Sequence, residues 1–124
     1  MWQKVLSTIS YLKNKGLRVD GLGWQAHLRD VRGVGLVKKD LDYLSYLIDW
    51  CHSKQMGFHV TELNYWLRDE SPNSIDVLNR QSISYSNILN TLIAKRNNGL
   101  VTLNLWGIKT VSYTHLTLPT KRIV

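Results

Sequence analysis

Cysteine, long apolar runs and glutamate are all scarce in this sequence. The single cysteine, Cys51, excludes an internal disulfide and disfavours a cysteine-based metal site; in its amphipathic helical pattern we expect a small buried side chain. No apolar run approaches the roughly 20 residues that cross a bilayer, so no membrane partner is expected. Only two glutamates are present, Glu62 and Glu70, and the position of each is therefore informative.

The basic residues are numerous but scattered. Sixteen Lys and Arg against nine Asp and Glu give a formal net charge of +7. No dense basic stripe or run emerges, so the charges are expected on solvated faces and no nucleic-acid partner is predicted. A hydrophobic fraction of 44% with 20% charged residues is typical of a globular chain with one core.

Helical and strand-like patterns alternate along the chain. Apolar residues at helical spacing predict helices over residues 2–14, 41–51 and 85–93. Short apolar runs predict strands over residues 17–24, 58–64 and 100–106. Strands that alternate with helices favour a parallel sheet with crossover helices, so the predicted class is α/β. Three strands alone would leave that sheet incomplete.

Glu62 lies in the apolar run of residues 58–64, close to the predicted strand end. An ionised carboxylate among buried strand residues costs several kcal/mol unless it is hydrogen-bonded or functional. In closed barrels of strands and helices the working residues lie at the C-terminal strand ends, and the three predicted ends carry His27, Glu62 and Trp106. The residues alone leave two interpretations open: a site carboxylate, or a glutamate that faces water at a strand-to-loop junction.

Four segments of the chain form a pattern through their order and spacing. Residues 19–28 read Val-Asp-Gly-Leu-Gly-Trp-Gln-Ala-His-Leu, and residues 56–63 read Met-Gly-Phe-His-Val-Thr-Glu-Leu. Residues 80–85 read Arg-Gln-Ser-Ile-Ser-Tyr, and residues 105–108 read Leu-Trp-Gly-Ile. These segments resemble the sixth strand, seventh strand, seventh helix and eighth strand of glycoside hydrolase family 10, the endo-1,4-β-xylanases. The resemblance spans nearly all of residues 1–110 and implies a partial (β/α)8 TIM barrel, from helix 5 through strand 8.

The resemblance implies retaining hydrolysis inside a β-1,4-xylan chain, with no cofactor and no metal. Glu62 would be the nucleophile, Gln25 and His27 would hydrogen-bond around it or hold sugar hydroxyls, and Trp106 would stack on a pyranose ring. Asn64 stands where the family usually has Asp, so it would support the nucleophile beside His27 without a charge. Outside this resemblance, His27 is more often a structural histidine and Trp106 more often a core residue.

Two departures from the family bear on activity. A retaining glycosidase needs a second carboxyl group about 5–5.5 Å from the nucleophile, and the family takes it from the fourth strand, which this chain lacks. Glu70 is too near in sequence and Asp20 begins its strand at the wrong end, so neither is a substitute. After Trp106, residues 107–110 also lack the family's Thr-Asp pair and further Trp. We therefore expect the chain to be inactive alone and to need the rest of the barrel, with xylan as substrate.

The last 14 residues bear no resemblance to the family. The run Val-Ser-Tyr-Thr-His-Leu-Thr-Leu-Pro-Thr-Lys looks like a translated sequencing adapter, so we predict a catalytic-barrel part at residues 1–110 and a non-native tail at 111–124. The alternative is a genuine strand, since Val, Tyr and Thr favour strands.

Two other functions stay open on the sequence. One is a catalytically dead carbohydrate-binding barrel, which the Asn64 substitution and the missing Thr-Asp pair would suit. The other is a retaining glycosidase with the same barrel and a different sugar. A small basic nucleic-acid-binding domain is disfavoured, since neither a clustered basic patch nor a known motif is present. Because such hydrolases meet an insoluble polymer, the parent protein is expected to be secreted or periplasmic, although residues 1–4 open a helical pattern and not a signal peptide.

Overall fold

Strands and helices alternate along the chain in the computed structural model, which describes residues 1–30, 35–66 and 74–107. The elements are α1 Trp2–Asn14, β1 Gly21–Trp24, β2 His27–Arg29, α2 Lys38–Ser53, β3 Gly57–Trp66, α3 Ile75–Lys95 and β4 Val101–Leu105. The α/β class and the alternation predicted from the sequence are confirmed. No helix in the described ranges is long and apolar enough to span a membrane.

β3 is the central strand, and every strand pair is parallel. β1 pairs with the first half of β3, where Leu22 lies opposite Phe58, and β4 pairs along the other side, where Val101 lies opposite the same residue. β2 follows β1 after two residues and pairs with the last residues of β3. Parallel strands place their C-terminal ends at one edge of the sheet, so residues late in β2, β3 and β4 come together.

The helices cover one face of this sheet and form a single core with it. Two fully buried positions, Cys51 on α2 and Phe58 on β3, lie at its centre. The buried cluster comprises Leu6, Ile9, Leu22, Ala26, Leu28, Leu44, Leu47, Ile48, Cys51, Met56, Phe58, Val60, Leu63, Tyr65, Ile88 and Leu92. The predicted burial of Cys51 is confirmed, and burial raises the pKa of its thiol to about 11.

The register of β3 shifts by one residue between Val60 and Leu63. Val60 lies opposite Leu103 and Leu63 opposite Leu105, so three steps on β3 match two steps on β4. Such a β-bulge leaves one extra residue in the longer strand and re-aims the side chains that follow. As a result two consecutive residues, Thr61 and Glu62, lie outside the core between two buried neighbours.

Several element bounds differ from the sequence prediction. The first strand begins at Gly21, not at residue 17, and a second short strand, β2, follows it. A three-residue strand is too short to show a periodicity, which explains why β2 was not predicted. α3 begins at Ile75, about ten residues before the apolar stripe, because its first turns bury only Val77. β3 continues to Trp66, so Glu62 lies within the strand and not at its end.

Candidate active site

Glu62 lies on the sheet face that the helices leave uncovered, and two side chains from one neighbouring segment hold its carboxylate. Gln25 Nε2 donates to Glu62 Oε1 at 3.0 Å, and His27 Nε2 lies 3.1 Å from Glu62 Oε2. The Glu62 side chain keeps 24% of its surface exposed. Each carboxylate oxygen thus has one fixed partner, and the group remains accessible from the open face.

The link between β1 and β2 places both partners of Glu62. The His27 amide donates to the Gln25 carbonyl at 2.9 Å, which makes a tight turn at the fully buried Ala26. The Asn64 amide donates to the Ala26 carbonyl at 3.2 Å and attaches this turn to β3. Because the turn is bonded to the strand that carries Glu62, the amide and the imidazole are held by the backbone and not only by their own side-chain contacts.

The imidazole of His27 is bound at both nitrogens. Its Nδ1 lies 2.9 Å from Asn64 Oδ1, and its Nε2 faces the Glu62 carboxylate. A carboxylate only accepts, so Nε2 carries a hydrogen. An asparagine amide can present either its oxygen or its NH2 group to Nδ1, so Asn64 satisfies both the charged and the neutral imidazole. An aspartate at this position would accept only and would favour the charged form alone.

Trp106 lies directly after β4 and closes the site on the other side. Its backbone amide donates to the Leu63 carbonyl at 2.8 Å, which extends the β3–β4 ladder by one bond. Its ring meets the His27 ring edge to face, with centroids 6.4 Å apart and planes at 83°. Trp106 is 45% exposed, so an aromatic surface borders the carboxylate on the open face. The structure therefore brings together all five predicted site residues: Gln25, His27, Glu62, Asn64 and Trp106.

No second carboxyl group joins Glu62 in the hydrogen-bonded group, as far as residues 1–30, 35–66 and 74–107 show. Asp20 precedes β1 and is ion-paired with Arg18 at 2.7 Å, while Asp30 is buried and ion-paired with Arg80 at 2.8 Å. Glu70 lies outside the described residues, as do residues 108–124. No described group of three His, Cys, Asp or Glu side chains is placed to hold a metal ion.

Arg29 and Trp66 were not predicted as site residues, yet they border the site. The Arg29 Cζ atom lies over the Trp66 ring, 5.1 Å from its centroid. Arg29 follows His27 by two positions on β2, and Trp66 follows Asn64 by two on β3. This spacing of two residues could have placed Arg29 and Trp66 on the same face as His27 and Asn64. It could be used only if the residues that face the open side of each strand were already known.

The parallel sheet, covered by helices on one face and carrying the bound carboxylate on the other, has the architecture of part of a (β/α)8 barrel, and solved structures share this fold. The barrel interior corresponds to the uncovered face. The family model of glycosyl hydrolase family 10 matches residues 2–116. The chain belongs to glycosyl hydrolase family 10.

Solved structures with a similar fold include endo-1,4-β-xylanases. Penicillium canescens endo-1,4-β-xylanase XylE matches with a TM-score of 0.72 at 17% identity over 94% of this chain and 32% of its own. Xylanase XynB from Paenibacillus barcinonensis, complexed with a conduramine derivative, matches with a TM-score of 0.69 at 21% identity, over 90% of this chain and 34% of its own. A mutant structure in complex with xylotriose matches with a TM-score of 0.68 at 22% identity, over 86% of this chain and 33% of its own. The chain thus spans about a third of the length of these structures, and no curated protein sequence matches it.

Proposed function

We propose that this chain is the C-terminal part of a barrel that hydrolyses β-1,4-xylosidic bonds inside xylan with retention, and that Glu62 is its nucleophile. One observation carries the proposal: the Glu62 carboxylate is held at both oxygens, by Gln25 at 3.0 Å and His27 at 3.1 Å, on the open face of the sheet. A carboxylate fixed in this way is ready to attack without reorganisation. Family membership supports the reaction class.

The mechanism follows from the two fixed contacts of Glu62. One carboxylate oxygen attacks the anomeric carbon while the bond to the leaving sugar breaks, and a glycosyl ester forms. Water then attacks the same carbon, the ester bond breaks, and the carboxylate is regenerated. The N–H groups of Gln25 and His27 stabilise the carboxylate anion, so they orient it before attack and assist its departure from the ester. No metal or cofactor takes part in this scheme.

Trp106 and Asn64 act on either side of this chemistry. The exposed indole of Trp106 is a stacking surface for a pyranose ring beside the carboxylate. Asn64 holds the far nitrogen of the His27 ring at 2.9 Å and so fixes the orientation of the Nε2–H that faces Glu62. In the proposed role His27 and Asn64 support the nucleophile, while Gln25, His27 and Trp106 also face the sugar.

The general acid and base comes from a part of the barrel outside this chain. Protonation of the leaving oxygen needs a second carboxyl group about 5–5.5 Å from the nucleophile, and no described side chain supplies it. The remaining strands of the barrel are therefore the required partner, and we propose that the chain alone is inactive. Leu100, directly before β4, and Leu105, at the end of β4, are both more than half exposed, as expected of an edge strand whose neighbour lies outside this chain.

A second candidate function is a carbohydrate-binding barrel that has lost catalysis. The substitution of Asn64 for the family's usual aspartate favours it, because it removes one charge from the site. The retained hydrogen bond between His27 Nδ1 and Asn64 Oδ1 favours the enzyme. A retaining glycosidase with another sugar would share the Glu62 geometry and differ in strands outside this chain. As a polysaccharide hydrolase, the parent protein would act outside the cytoplasm, secreted or periplasmic.

The test uses the complete barrel, expressed from the full coding sequence of which this chain is a part. The wild type is expected to release xylooligosaccharides from xylan with retained anomeric configuration, as followed by proton NMR. Glu62→Ala should lower the rate by roughly 10⁴-fold or more. Added azide should restore turnover in that variant and give the glycosyl azide of inverted configuration, because azide enters the space of the lost carboxylate and the product is not hydrolysed.

Matched controls separate the candidate functions. Asp20→Ala removes an exposed carboxylate far from the site and should leave the rate unchanged. Xylan binding without hydrolysis by the wild type would instead favour the dead carbohydrate-binding barrel. Hydrolysis of a different polysaccharide would support Glu62 as the nucleophile and would exclude xylan as the substrate.

The 124-residue chain alone should release no sugar and should fold poorly. A sharp cooperative melt of a soluble monomer would contradict its need for the remaining strands.

A further inference from the structure

The stacked pair of Arg29 and Trp66 lies one step further along the strands than the candidate active site. On β2, exposed His27 and Arg29 flank buried Leu28, so both side chains share one face. The register places Arg29 directly opposite Trp66. Two residues along a strand correspond to roughly 6.6 Å, so the pair lies close to the hydrogen-bonded group around Glu62.

Trp66 presents its ring on that same face. Along the end of β3, buried Leu63 and Tyr65 alternate with Asn64 and Trp66, and Trp66 is 44% exposed. Asn64 belongs to the hydrogen-bonded group around Glu62. A ligand that lies across Glu62 and extends towards the strand ends would therefore meet the indole and the guanidinium next.

No carboxylate among the described residues neutralises the guanidinium of Arg29. It contacts the indole at 5.1 Å, and within the described parts of the chain no carboxylate pairs with it. The adjacent Asp30 does not neutralise it, because Asp30 is only 5% exposed and its carboxylate is ion-paired with Arg80 at 2.8 Å. Stacking on the indole restricts the guanidinium while its N–H groups stay available for a planar anion.

We propose that Arg29 and Trp66 form a recognition site for a carboxylate-bearing sugar, a hexuronate carried by the polysaccharide bound at Glu62. The guanidinium would donate two N–H groups to the sugar carboxylate, and the indole would hold the guanidinium in place and contact the C–H groups of the ring. This inference rests on the proposed function and deepens it, because it names acidic, uronate-substituted xylan as the preferred substrate. A neutral sugar would need the indole only and would make no use of the charge.

The net charge of the whole chain agrees with an acidic ligand. The formal charge of +7, or +5 without Lys121 and Arg122 of the predicted non-native tail, attracts polyanions at long range, and the attraction weakens as salt is added. The charge of Arg29 differs from this general effect because it lies beside the proposed site. A local contact predicts a preference for the acidic ligand that the loss of Arg29 removes, whereas the overall charge predicts a preference that the loss of any single basic residue hardly changes.

The experiment compares two xylooligosaccharides of equal length, one unsubstituted and one with a single glucuronate, as substrates of the complete barrel. Arg29→Gln should lower kcat/KM for the acidic oligosaccharide about 10-fold and change the neutral one less than about twofold. Arg29→Lys should recover part of the loss, because it restores the charge and not the paired N–H groups. Thermal unfolding of each variant shows that the fold is intact.

The outcomes separate this inference from the proposed function. Equal losses on both oligosaccharides, or none on either, would overturn the acidic site and leave the nucleophile assignment untouched. If the complete barrel cleaves neither oligosaccharide, the proposed function fails, and calorimetric binding of the same two ligands still decides the inference. Tighter binding of the acidic ligand that Arg29→Gln abolishes supports it; equal binding of both, or no binding, overturns it.

Discussion

The two faces of β3 differ in what holds their side chains. On the helix side, Phe58 and Val60 are fully buried and Leu63 is nearly so, and they are held by packing alone. On the open side, His59 Nδ1 lies 2.9 Å from Thr102 Oγ1, and Thr61 donates to a backbone carbonyl at 3.1 Å. One strand therefore carries a layer fixed by apolar contact and a layer fixed by directed hydrogen bonds.

This difference separates stability from chemistry within ten residues. Dispersion and burial on the helix side are insensitive to direction but lose several kcal/mol when a large side chain is removed. Hydrogen bonds on the open side contribute little net stability each, about 1 kcal/mol, but they fix where a carboxylate or imidazole points. The loss of a packed side chain and the loss of a polar contact should therefore change stability by different amounts, and the following four predictions, made for the complete barrel, examine that difference.

The largest effect on stability is expected from Phe58→Ala. Removal of this fully buried ring should lower the free energy of unfolding by about 3–5 kcal/mol. Thr61→Ala, on the opposite face, removes one hydrogen bond and should cost no more than about 1.5 kcal/mol. Denaturant unfolding of both variants checks the contrast; equal losses would show that the two faces are not energetically distinct.

The next effect is expected at the buried ion pair that joins the end of β2 to α3. Asp30→Ala leaves the Arg80 guanidinium without its 2.8 Å partner and should cost about 2–4 kcal/mol. The exposed pair of Arg18 and Asp20 is the matched control, and Asp20→Ala should give no measurable change in Tm. If calorimetry gives the same Tm for both alanine variants, burial of the ion pair does not matter for stability.

A smaller loss of stability is expected from a methyl group added to β1 beside the His59 ring. A Cβ on Gly21 would lie 2.8 Å from His59 Nε2, so Gly21→Ala must displace the His59 ring and should cost about 1–3 kcal/mol. Gly23→Ala meets only a Thr61 methyl at 3.1 Å and should cost less. Stability curves of the two variants, with the His59 ring resonances as a local reporter, test the order; a larger loss for Gly23→Ala would reverse it.

The smallest effect concerns the pH dependence of the packed side. Burial raises the pKa of Cys51 to about 11, above its ordinary value near 9. Above pH 9 the unfolded chain loses this proton first, so it binds fewer protons than the folded chain and stability falls as pH rises towards 11. Cys51→Ala should remove that part of the decline between pH 9 and 11. Parallel declines of Tm in both proteins would show that Cys51 contributes nothing.

The strand and helix order could be predicted because each long element carries its own periodic signal. α1 matches its predicted bounds of Trp2–Asn14, since Leu6 and Ile9 bury one face of an uninterrupted helix. β2 could not be predicted, because three residues define no period and this strand exists only through its pairing with the end of β3. The early start of α3 was missed for a related reason, since few apolar side chains mark its first turns.

The candidate site was reached through motif resemblance and not through periodicity. Spacing alone marked Glu62 but left open whether it faced a site or water, and the contacts at 3.0 Å and 3.1 Å depend on the turn at Ala26, which no local pattern specifies. Arg29 and Trp66 were missed because their proximity is a matter of cross-strand register. A pairing between residues 37 positions apart is a property of the sheet and not of either segment.

The extra residue between Val60 and Leu63 has a consequence for comparing this strand with its relatives. An alignment that removes it with a one-residue gap exchanges the two faces for every later position, so it would match Glu62 with the core residue Leu63. A single insertion or deletion at this place would turn every later side chain of the strand to the opposite face of the sheet. A change of length by one residue within β3 would need a second, compensating change before Trp66 to restore the two faces. Insertions and deletions are therefore expected before or after the strand and not within it.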